Sequence, residues 1–354
     1  AANITLSGLT VSCCAGSAIQ VEGGANVRVE ACVVRNTGLD GVVVRGGANH
    51  FVAACDLSDT GTGGLVMEGG DRKTLTPCGH VAENNDIWNP GRRKRTHAYN
   101  VHMGGVGVRL AHNRIHSAPH QAIGLGGNDH IIEFNEVFDI CQESDDCGAF
   151  YMGRNPSERG TILRYNFWRD TGGPRSHGSC AVYFDDGSGG QTVHGNVFLR
   201  AAGGNFGAVF VHGGHNNRVF NNIFVDCKAA MRHVRWDDAA WAEWINGDLW
   251  KEWLLKDVDI SRTPYKERYP ELAGFLDFHG EKRTNYSARN VVVRCPMLLD
   301  GDWEQENNFT TETDPGFVDA AAMNFELRDD SEVFRQIPGF ERIPFEKIGL
   351  QRKE

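Results

Sequence analysis

The sequence lacks the features that define several large classes of protein. No apolar run approaches the ~18 residues of a membrane-spanning helix. The ten cysteines include no Cys-x-x-Cys pair of the kind found in zinc ribbons and thioredoxin-like motifs. Proline supplies only 11 of the 354 residues, and the glycines follow no collagen-like period. A membrane-spanning helix, a zinc ribbon and a collagen-like fibre are therefore excluded.

Basic charge is also scarce. The 36 lysines and arginines are outnumbered by 46 acidic residues, and the formal charge of −10 argues against a nucleic acid as the main partner. The one basic run, residues 92–95, is interpreted as a solvated loop. The fourteen histidines include no His-Glu-x-x-His motif, so the sequence predicts no metal site and no cofactor. An aspartate-rich turn nevertheless leaves Ca²⁺ as an open alternative.

An internal repeat organises what is present. Residues 23–26 (Gly-Gly-Ala-Asn) recur at 46–49, and Cys32 and Cys55 lie 23 residues apart at matching positions. Farther along, the repeat is marked by an asparagine with an apolar residue two positions later. Spacings of 22 to 31 residues separate these asparagines, which are Asn85, Asn113, Asn135, Asn166, Asn196 and Asn222.

The repeat predicts an all-β fold. Alternating runs of four to six residues, separated by glycine and asparagine turns, are typical of short strands. A unit of 20 to 30 residues with two or three such strands indicates a right-handed parallel β-helix, since a propeller blade needs about 40 residues. Asparagine at one turn position predicts a ladder of buried amides, and Cys32 and Cys55 are expected to be buried free thiols at that position.

Three segments depart from the repeat within the single domain expected for residues 1–354. Residues 4–11 already show a strand pattern, so we expect N-terminal coils to be missing. Residues 236–286 are rich in tryptophan with spacings of three and four, which predicts a helical insertion beside the groove. Residues 310–354 are expected to form a C-terminal wrap and cap. No large apolar outer face is apparent, and the chain is expected to be a monomer.

Aligning the central coils in columns predicts which side chains face outward. Two columns are wholly apolar and are expected to face inward, because alternate residues of a strand point to opposite sides. One outward row then holds Gly124, Tyr151, Tyr183 and Phe210, and the next holds Gly126, Gly153, Asp185 and His212. Such a row of aromatic residues predicts a platform for sugar rings, unless a loop or the insertion covers it.

Acidic residues cluster on the same coils, and glycoside hydrolysis generally needs two carboxyl groups. Asp146 precedes one strand, while Asp185 and Asp186 end the next, so these three are the candidate catalytic residues. A flat strand would hold Asp146 too far from Asp185, so the bend before the strand must bring it closer. If the bend does not do so, the second catalytic role beside Asp185 is taken by Asp186, Arg154 or His212. If Asp186 has only a structural role, it is expected to form an ion pair with Arg154 of the adjacent coil.

The motifs on these coils resemble the right-handed parallel β-helix proteins of glycoside hydrolase family 141 and its relatives. The matching segments are residues 119–123, 127–135, 146–151, 153–154, 183–188, 211–214, 221–227 and 314–319. The resemblance implies an α-L-fucosidase or xylanase that acts on plant polysaccharides. It places Asp146 in an Asp-x-Gly-Ala-x-Tyr motif and Asp185 or Asp186 in an Asp-Asp-Gly-Ser motif. The Asp-Asp and His-Gly pattern is also similar to polygalacturonases.

The sequence thus predicts a glycoside hydrolase for plant or algal polysaccharides or oligosaccharides. The expected substrate-binding residues are His120, Tyr151, Arg154, Tyr183, Phe210, His212 and Trp244. A polysaccharide lyase or epimerase with a histidine or tyrosine base is the first alternative, and a non-catalytic carbohydrate-binding solenoid is the second. No signal peptide opens the chain, and a secreted or periplasmic location is implied by the resemblance alone.

Overall fold

Short strands and tight turns wind the chain into a stack of coils. The structure is a computed structural model, and it describes residues 2–172, 177–276 and 283–352. Each coil adds one strand to each of three long sheets, and every such strand pairs in parallel with its neighbours one coil before and after. The chain is therefore a right-handed parallel β-helix with a small helical insertion, as the repeat predicted.

Among the described residues, two sheets have eleven parallel strands each. The first sheet comprises Thr5–Ser7, Arg28–Glu30, Phe51–Ala53, Val81–Glu83, Arg109–Ala111, Ile131–Glu133, Ile162–Arg164, Thr192–His194, Arg218–Phe220, Asn285–Ala288 and Trp303–Glu306. The second sheet comprises Thr10–Ser12, Val33–Arg35, Asp56–Ser58, Asp86–Trp88, Arg114–His116, Glu136–Ile140, Phe167–Thr171, Val197–Leu199, Ile223–Val225, Val291–Val293 and Phe309–Thr311.

The third sheet contains the aligned columns of outward-facing residues that the sequence analysis predicted. Its parallel strands are Ile19–Glu22, Val42–Arg45, Leu65–Gly69, Val101–Gly105, Ile123–Leu125, Cys147–Gly153, Gly178–Asp185, Val209–His212, Met231–Val234 and Leu299–Asp300, and Ala202–Gly204 pairs antiparallel with one of them. Tyr151 pairs with Tyr183 and Tyr183 with Phe210, so the predicted register is confirmed.

A ladder of asparagine side chains fixes this register inside the stack. The Nδ2 of Asn113 donates to Oδ1 of Asn135 at 2.9 Å, and the Nδ2 of Asn135 donates to Oδ1 of Asn166 at the same distance. The pattern repeats along the coils through Asn85, Asn113, Asn135, Asn166, Asn196, Asn222, Asn290 and Asn308. Cys32 and Cys55 are buried and free, as predicted.

The insertion has an apolar core of its own. Its helices are Asp238–Asn246, Asp248–Glu252 and Tyr265–Arg268, with a π-helical turn at Trp253–Asp257 and a 3₁₀ turn at Pro270–Leu272. Trp241, Ile245, Trp250 and Leu254 are buried, which agrees with the predicted apolar helix face. The next strand begins at Asn285, so the predicted end at residue 286 lies inside the coil stack. Among the described residues, no helix is long and apolar enough to cross a bilayer.

The C-terminal tail runs back along the second sheet. A hairpin of Phe317–Asp319 and Asn324–Leu327 is followed by a short helix, Val333–Gln336, and a 3₁₀ turn, Phe345–Lys347. Apolar residues of the tail pack on the outer face of the second sheet, and Gly349 donates its backbone N–H to the carbonyl of Phe134 at 2.8 Å. The tail therefore covers the second sheet, while the third sheet borders the insertion.

The ladder predicts a specific loss of stability. Asn135→Ala removes an oxygen that accepts from both the backbone N–H and the side chain of Asn113, and both donors are buried. The side chain of Asn113 keeps the carbonyls of Ala82 and Ala111 as acceptors, but its backbone N–H loses its partner. A buried donor without a partner costs about 1–3 kcal/mol, so unfolding in guanidinium should show a loss of about that size. Gln305→Ala, at an exposed strand position, is the control. Equal, small losses for both variants would contradict the structural role of the ladder.

Candidate active site

Asp185 is the last residue of its strand, and its carboxylate receives three hydrogen bonds. The Tyr151 hydroxyl donates to Oδ2 at 2.9 Å, and the backbone N–H of Asp186 donates to Oδ1 at 2.8 Å. Nδ1 of His212 lies 3.0 Å from the same Oδ1. Burial would raise the pKa of Asp185, but the bonds from His212 and Tyr151 hold it below its usual value. Asp185 is therefore ionised at neutral pH.

Asp146 reaches Asp185 through a tyrosine. Asp146 lies in a left-handed turn, with φ of 54°, directly before the strand Cys147–Gly153. The Tyr183 hydroxyl donates to Oδ1 of Asp146 at 3.2 Å, and the same hydroxyl helps to lower the pKa of Asp185 by hydrogen bonding. The turn therefore brings Asp146 to the groove that Asp185 also lines.

His212 connects both carboxylates of the Asp-Asp pair to the insertion. Its Nδ1 lies 3.0 Å from Asp185 and 3.2 Å from Asp186, and these bonds raise the pKa of His212 to about 9. The indole N–H of Trp236 lies 3.2 Å from Nε2, an interaction that requires an unprotonated Nε2. Charge-assisted bonds are roughly twice as strong as neutral ones, so the two carboxylates prevail and the imidazolium is favoured at neutral pH.

Asp186 is held by an arginine of the preceding coil. Its Oδ2 lies 3.1 Å from Nε of Arg154, so the ion pair that the sequence offered as a structural interpretation is present. Asp185, Asp186 and His212 also place one ligand atom each within 4.8 Å of one another, a geometry that suits a divalent cation. Nδ1 of His212 already contacts both carboxylates, so a cation there would have to replace that proton.

The aromatic row is not an open platform, which corrects the expectation from the sequence. Tyr183 and Phe210 are each only 4% exposed. Phe206, from the loop after the antiparallel strand, stacks on Phe210 with ring centroids 3.8 Å apart. Tyr151 remains half-buried. These aromatic residues therefore form a small apolar cluster behind the carboxylates, and Tyr151 and Tyr183 present their hydroxyls to the aspartates.

Two other predicted binding residues lie elsewhere. His120 is 6% exposed and packs against His97, with ring centroids 5.0 Å apart, so it does not reach the groove around Asp185. Burial lowers the pKa of His120 to about 4. Trp244 stacks on Trp236 at 5.3 Å, inside the aromatic cluster of the insertion. Trp236, rather than Trp244, contacts the site through His212.

Sequence reasoning missed part of the groove lining. A groove of about 440 Å³ is lined by Asp146, Arg154, His177, Tyr183, Asp185, Asp186, Asn205, Phe206, Phe210, His212, Arg232 and Val234. Arg232 pairs in register with Phe210. Residues 230–232 (Ala-Met-Arg) also repeat the pattern of residues 208–210 (Ala-Val-Phe). Extending the sequence alignment by one more coil would therefore have identified Arg232 as a groove residue. Phe206 and Asn205 lie in a loop outside the repeat and gave no such signal.

Comparison with known families agrees with the fold. A family model for the right-handed β-helix region matches residues 1–89. Comparison with the curated proteins gave no match.

Several solved structures are similar to this chain at low identity. A glycoside hydrolase is 18% identical, with 63% of this chain and 39% of that chain covered and a TM-score of 0.45. A complex of XylC with xylose is 11% identical over 85% of this chain and 54% of that one, with a TM-score of 0.46. A family PL6 polysaccharide lyase from Pseudopedobacter saltans is 10% identical over 84% and 62%, with a TM-score of 0.42. The chain thus spans about two fifths and about half of the first two proteins.

The ion pair of His212 predicts a pH-dependent stability. Its pKa of about 9 lies above the ordinary 6.5, so the stabilisation is fully present below pH 6.5 and is lost as the pH rises through 9. The difference in melting temperature between the wild-type protein and His212→Gln should therefore shrink between pH 6.5 and pH 10. A difference that stays constant across this range would show that His212 is not charged in the folded protein.

Proposed function

We propose that the protein is a carbohydrate-active enzyme, and specifically a glycoside hydrolase with Asp185 and Asp146 as its catalytic pair. The observation that carries the proposal is that Asp185 and Asp146 line one groove, together with the Tyr183 hydroxyl that donates to Asp146. The two groups also differ in environment. Asp185 is 14% exposed and strongly hydrogen-bonded, whereas Asp146 is 62% exposed. Asp185 is thus held as a carboxylate, and we assign the exposed Asp146 as the group that exchanges a proton with the leaving oxygen and with water.

A double displacement is the reaction that we propose. Ionised Asp185 attacks the anomeric carbon and forms a glycosyl ester, while the bond to the leaving oxygen breaks and that oxygen takes the proton of Asp146. Ionised Asp146 then removes a proton from water, which attacks the anomeric carbon and releases Asp185. This route requires carboxyl groups about 5 Å apart, whereas inversion would require about 6.5 to 9.5 Å. Tyr151 and His212 stabilise the Asp185 carboxylate when it departs.

The substrate follows from the family resemblance and the shape of the site. A plant or algal polysaccharide or oligosaccharide, xylan-like or α-L-fucoside-bearing, is the proposed substrate, and Arg154, His212 and the tyrosine hydroxyls are positioned to bind its hydroxyl groups. A secreted or periplasmic location suits such a substrate.

A polysaccharide lyase or epimerase is the second candidate. It is favoured by Arg154 and Arg232 in the groove, which could neutralise a uronate carboxylate. Against it, Arg154 is already paired with Asp186 and Arg232 with Asp300. Burial and the charge of Asp185 also raise the pKa values of Tyr151 and Tyr183, which makes either hydroxyl a poor base. The hydrolase is therefore the better-supported function.

Product analysis distinguishes the two reactions. Incubation with xylan, fucosylated polysaccharides, alginate and pectin should release reducing ends with no ultraviolet absorbance from unsaturated uronates. On an active aryl glycoside, proton NMR should show that the first product keeps the anomeric configuration of the substrate. Unsaturated products would establish the lyase, and an inverted first product would refute a nucleophilic role for Asp185.

The catalytic pair is tested by charge-removing substitutions. Asp185→Asn and Asp146→Asn should each lower kcat by about 10³-fold or more, because each removes an acid or base at the reacting bond. The matched control is Asp226→Asn, since Asp226 also occupies a left-handed turn, with φ of 52°, and pairs with Arg294 at 2.7 Å. Circular dichroism should show the same fold in all variants. Near-normal turnover in both groove variants would refute the assignment.

A further inference from the structure

The turn that follows the central strands of the third sheet has a left-handed backbone. Continuing the strand register places four residues at its first position on successive coils, with φ values of 110°, 76°, 41° and 74°: Gly127, Arg154, Asp186 and Gly213. Glycine adopts a positive φ freely, whereas the Cβ of other residues makes it costly. Among the described residues other than glycine, Arg154 has the largest positive φ.

The two residues that are not glycine are paired with each other beside Asp185. Nε of Arg154 donates to Oδ2 of Asp186 at 3.1 Å. Nδ1 of His212 lies 3.2 Å from Asp186 and 3.0 Å from Asp185. A strained backbone persists only where its surroundings hold it, and such positions concentrate at functional sites. The contact that holds Arg154 in this turn therefore bears on the charges next to Asp185.

Trp250 of the insertion makes that contact. Its indole N–H donates to the backbone carbonyl of Arg154 at 2.8 Å, which fixes the orientation of the peptide that follows Arg154. The indole is fully buried, and its ring also lies on Gly187 of the next coil. A Cβ added to Gly187 would lie only 2.8 Å from Cζ2 of Trp250. One indole thus contacts the turns of two successive coils.

Trp236 lies in the same way on the turn of the following coil. A Cβ added to Gly213 would lie 2.4 Å from Cε2 of Trp236, and the two indoles stack with ring centroids 6.5 Å apart. Neither Trp236 nor Trp250 is among the described residues that line the groove. An effect of Trp250 on the reaction must therefore pass through the turns that it contacts.

We propose that Trp250 is a positioning residue, which holds Arg154 in the left-handed turn from which its guanidinium pairs with Asp186. The proposal rests on the proposed function, because it takes Asp185 as the nucleophile. Pairing with Arg154 neutralises Asp186 and leaves the Nδ1 proton of His212 available to Asp185. Without that pairing, Asp186 competes for the proton, and the departing Asp185 carboxylate is less stabilised.

The first test needs no substrate. It measures hydrogen exchange of the Arg154 Nε–H by NMR, with the resonance assigned by its absence in Arg154→Gln. Trp250→Phe removes the indole donor and keeps an aromatic ring, so this exchange should become about three- to tenfold faster, as expected for the loss of one hydrogen bond. Trp244→Phe is the matched control, because Trp244 packs 5.4 Å from Trp250 in the same cluster. Unchanged exchange in Trp250→Phe, or equal acceleration in Trp244→Phe, would overturn the proposal.

The second test is a kinetic double-mutant cycle on an active aryl glycoside. Trp250→Phe should lower kcat by about tenfold and leave KM within about twofold, because Trp250 does not line the groove. In the Arg154→Gln background the same substitution should have no further effect, since the side chain that Trp250 positions is gone. Additive losses of kcat, or a change in KM alone, would refute the positioning role.

The outcomes separate this inference from the proposed function. Glycoside turnover by the wild-type protein, with unchanged Arg154 exchange in Trp250→Phe, would refute the positioning role and retain the hydrolase. Accelerated exchange in Trp250→Phe alone, without glycoside turnover by the wild-type protein, would refute the hydrolase and retain the hold of Trp250 on Arg154.

Discussion

The asparagine ladder is the constraint on which the rest of the structure depends. Each amide bonds the next coil at 2.9 to 3.1 Å, and its oxygen also accepts a backbone N–H, so a coil cannot slip without leaving buried polar groups unpaired. A one-residue slip would also reverse the faces of every strand in the third sheet. The ladder therefore determines which side chains of distant repeats become neighbours on the outer surface.

The candidate site is the result of that alignment. Tyr151 and Asp185 belong to neighbouring coils and lie 34 residues apart in sequence, yet the Tyr151 hydroxyl donates to the Asp185 carboxylate. Tyr183 donates in the same way to Asp146. His212 adds a positive charge from the following coil, and Trp236 joins it to the insertion. Ionised Asp185 is thus stabilised by its neighbours, while Asp146 stays exposed to a ligand. The tail meanwhile covers the second sheet, and the groove at Asp185 lies on the third.

The repeat carried enough information to predict the coils, the ladder and the register of the central strands, because spacing alone determines them. It also placed Asp185, Asp186 and His212 near one another. It did not reveal that Phe206 covers Phe210, since loop residues outside the repeat leave no periodic signal. The repeat also did not reveal the contact between Asp146 and Tyr183, because that contact depends on a turn with positive φ. The positions of His120 and Trp244 depend on packing against His97 and Trp236, which the repeat does not encode.

The central claim is that Asp185 is a nucleophile held ionised by its neighbours. Its most direct test is mass spectrometry of the protein after incubation with 2-deoxy-2-fluoro glycosyl fluorides of xylose and fucose, which slow the second displacement more than the first. The account predicts a stable glycosyl adduct on the peptide that contains Asp185, and none on Asp185→Asn. An adduct on Asp146, or turnover of either reagent by a protein that never carries an adduct, would contradict it.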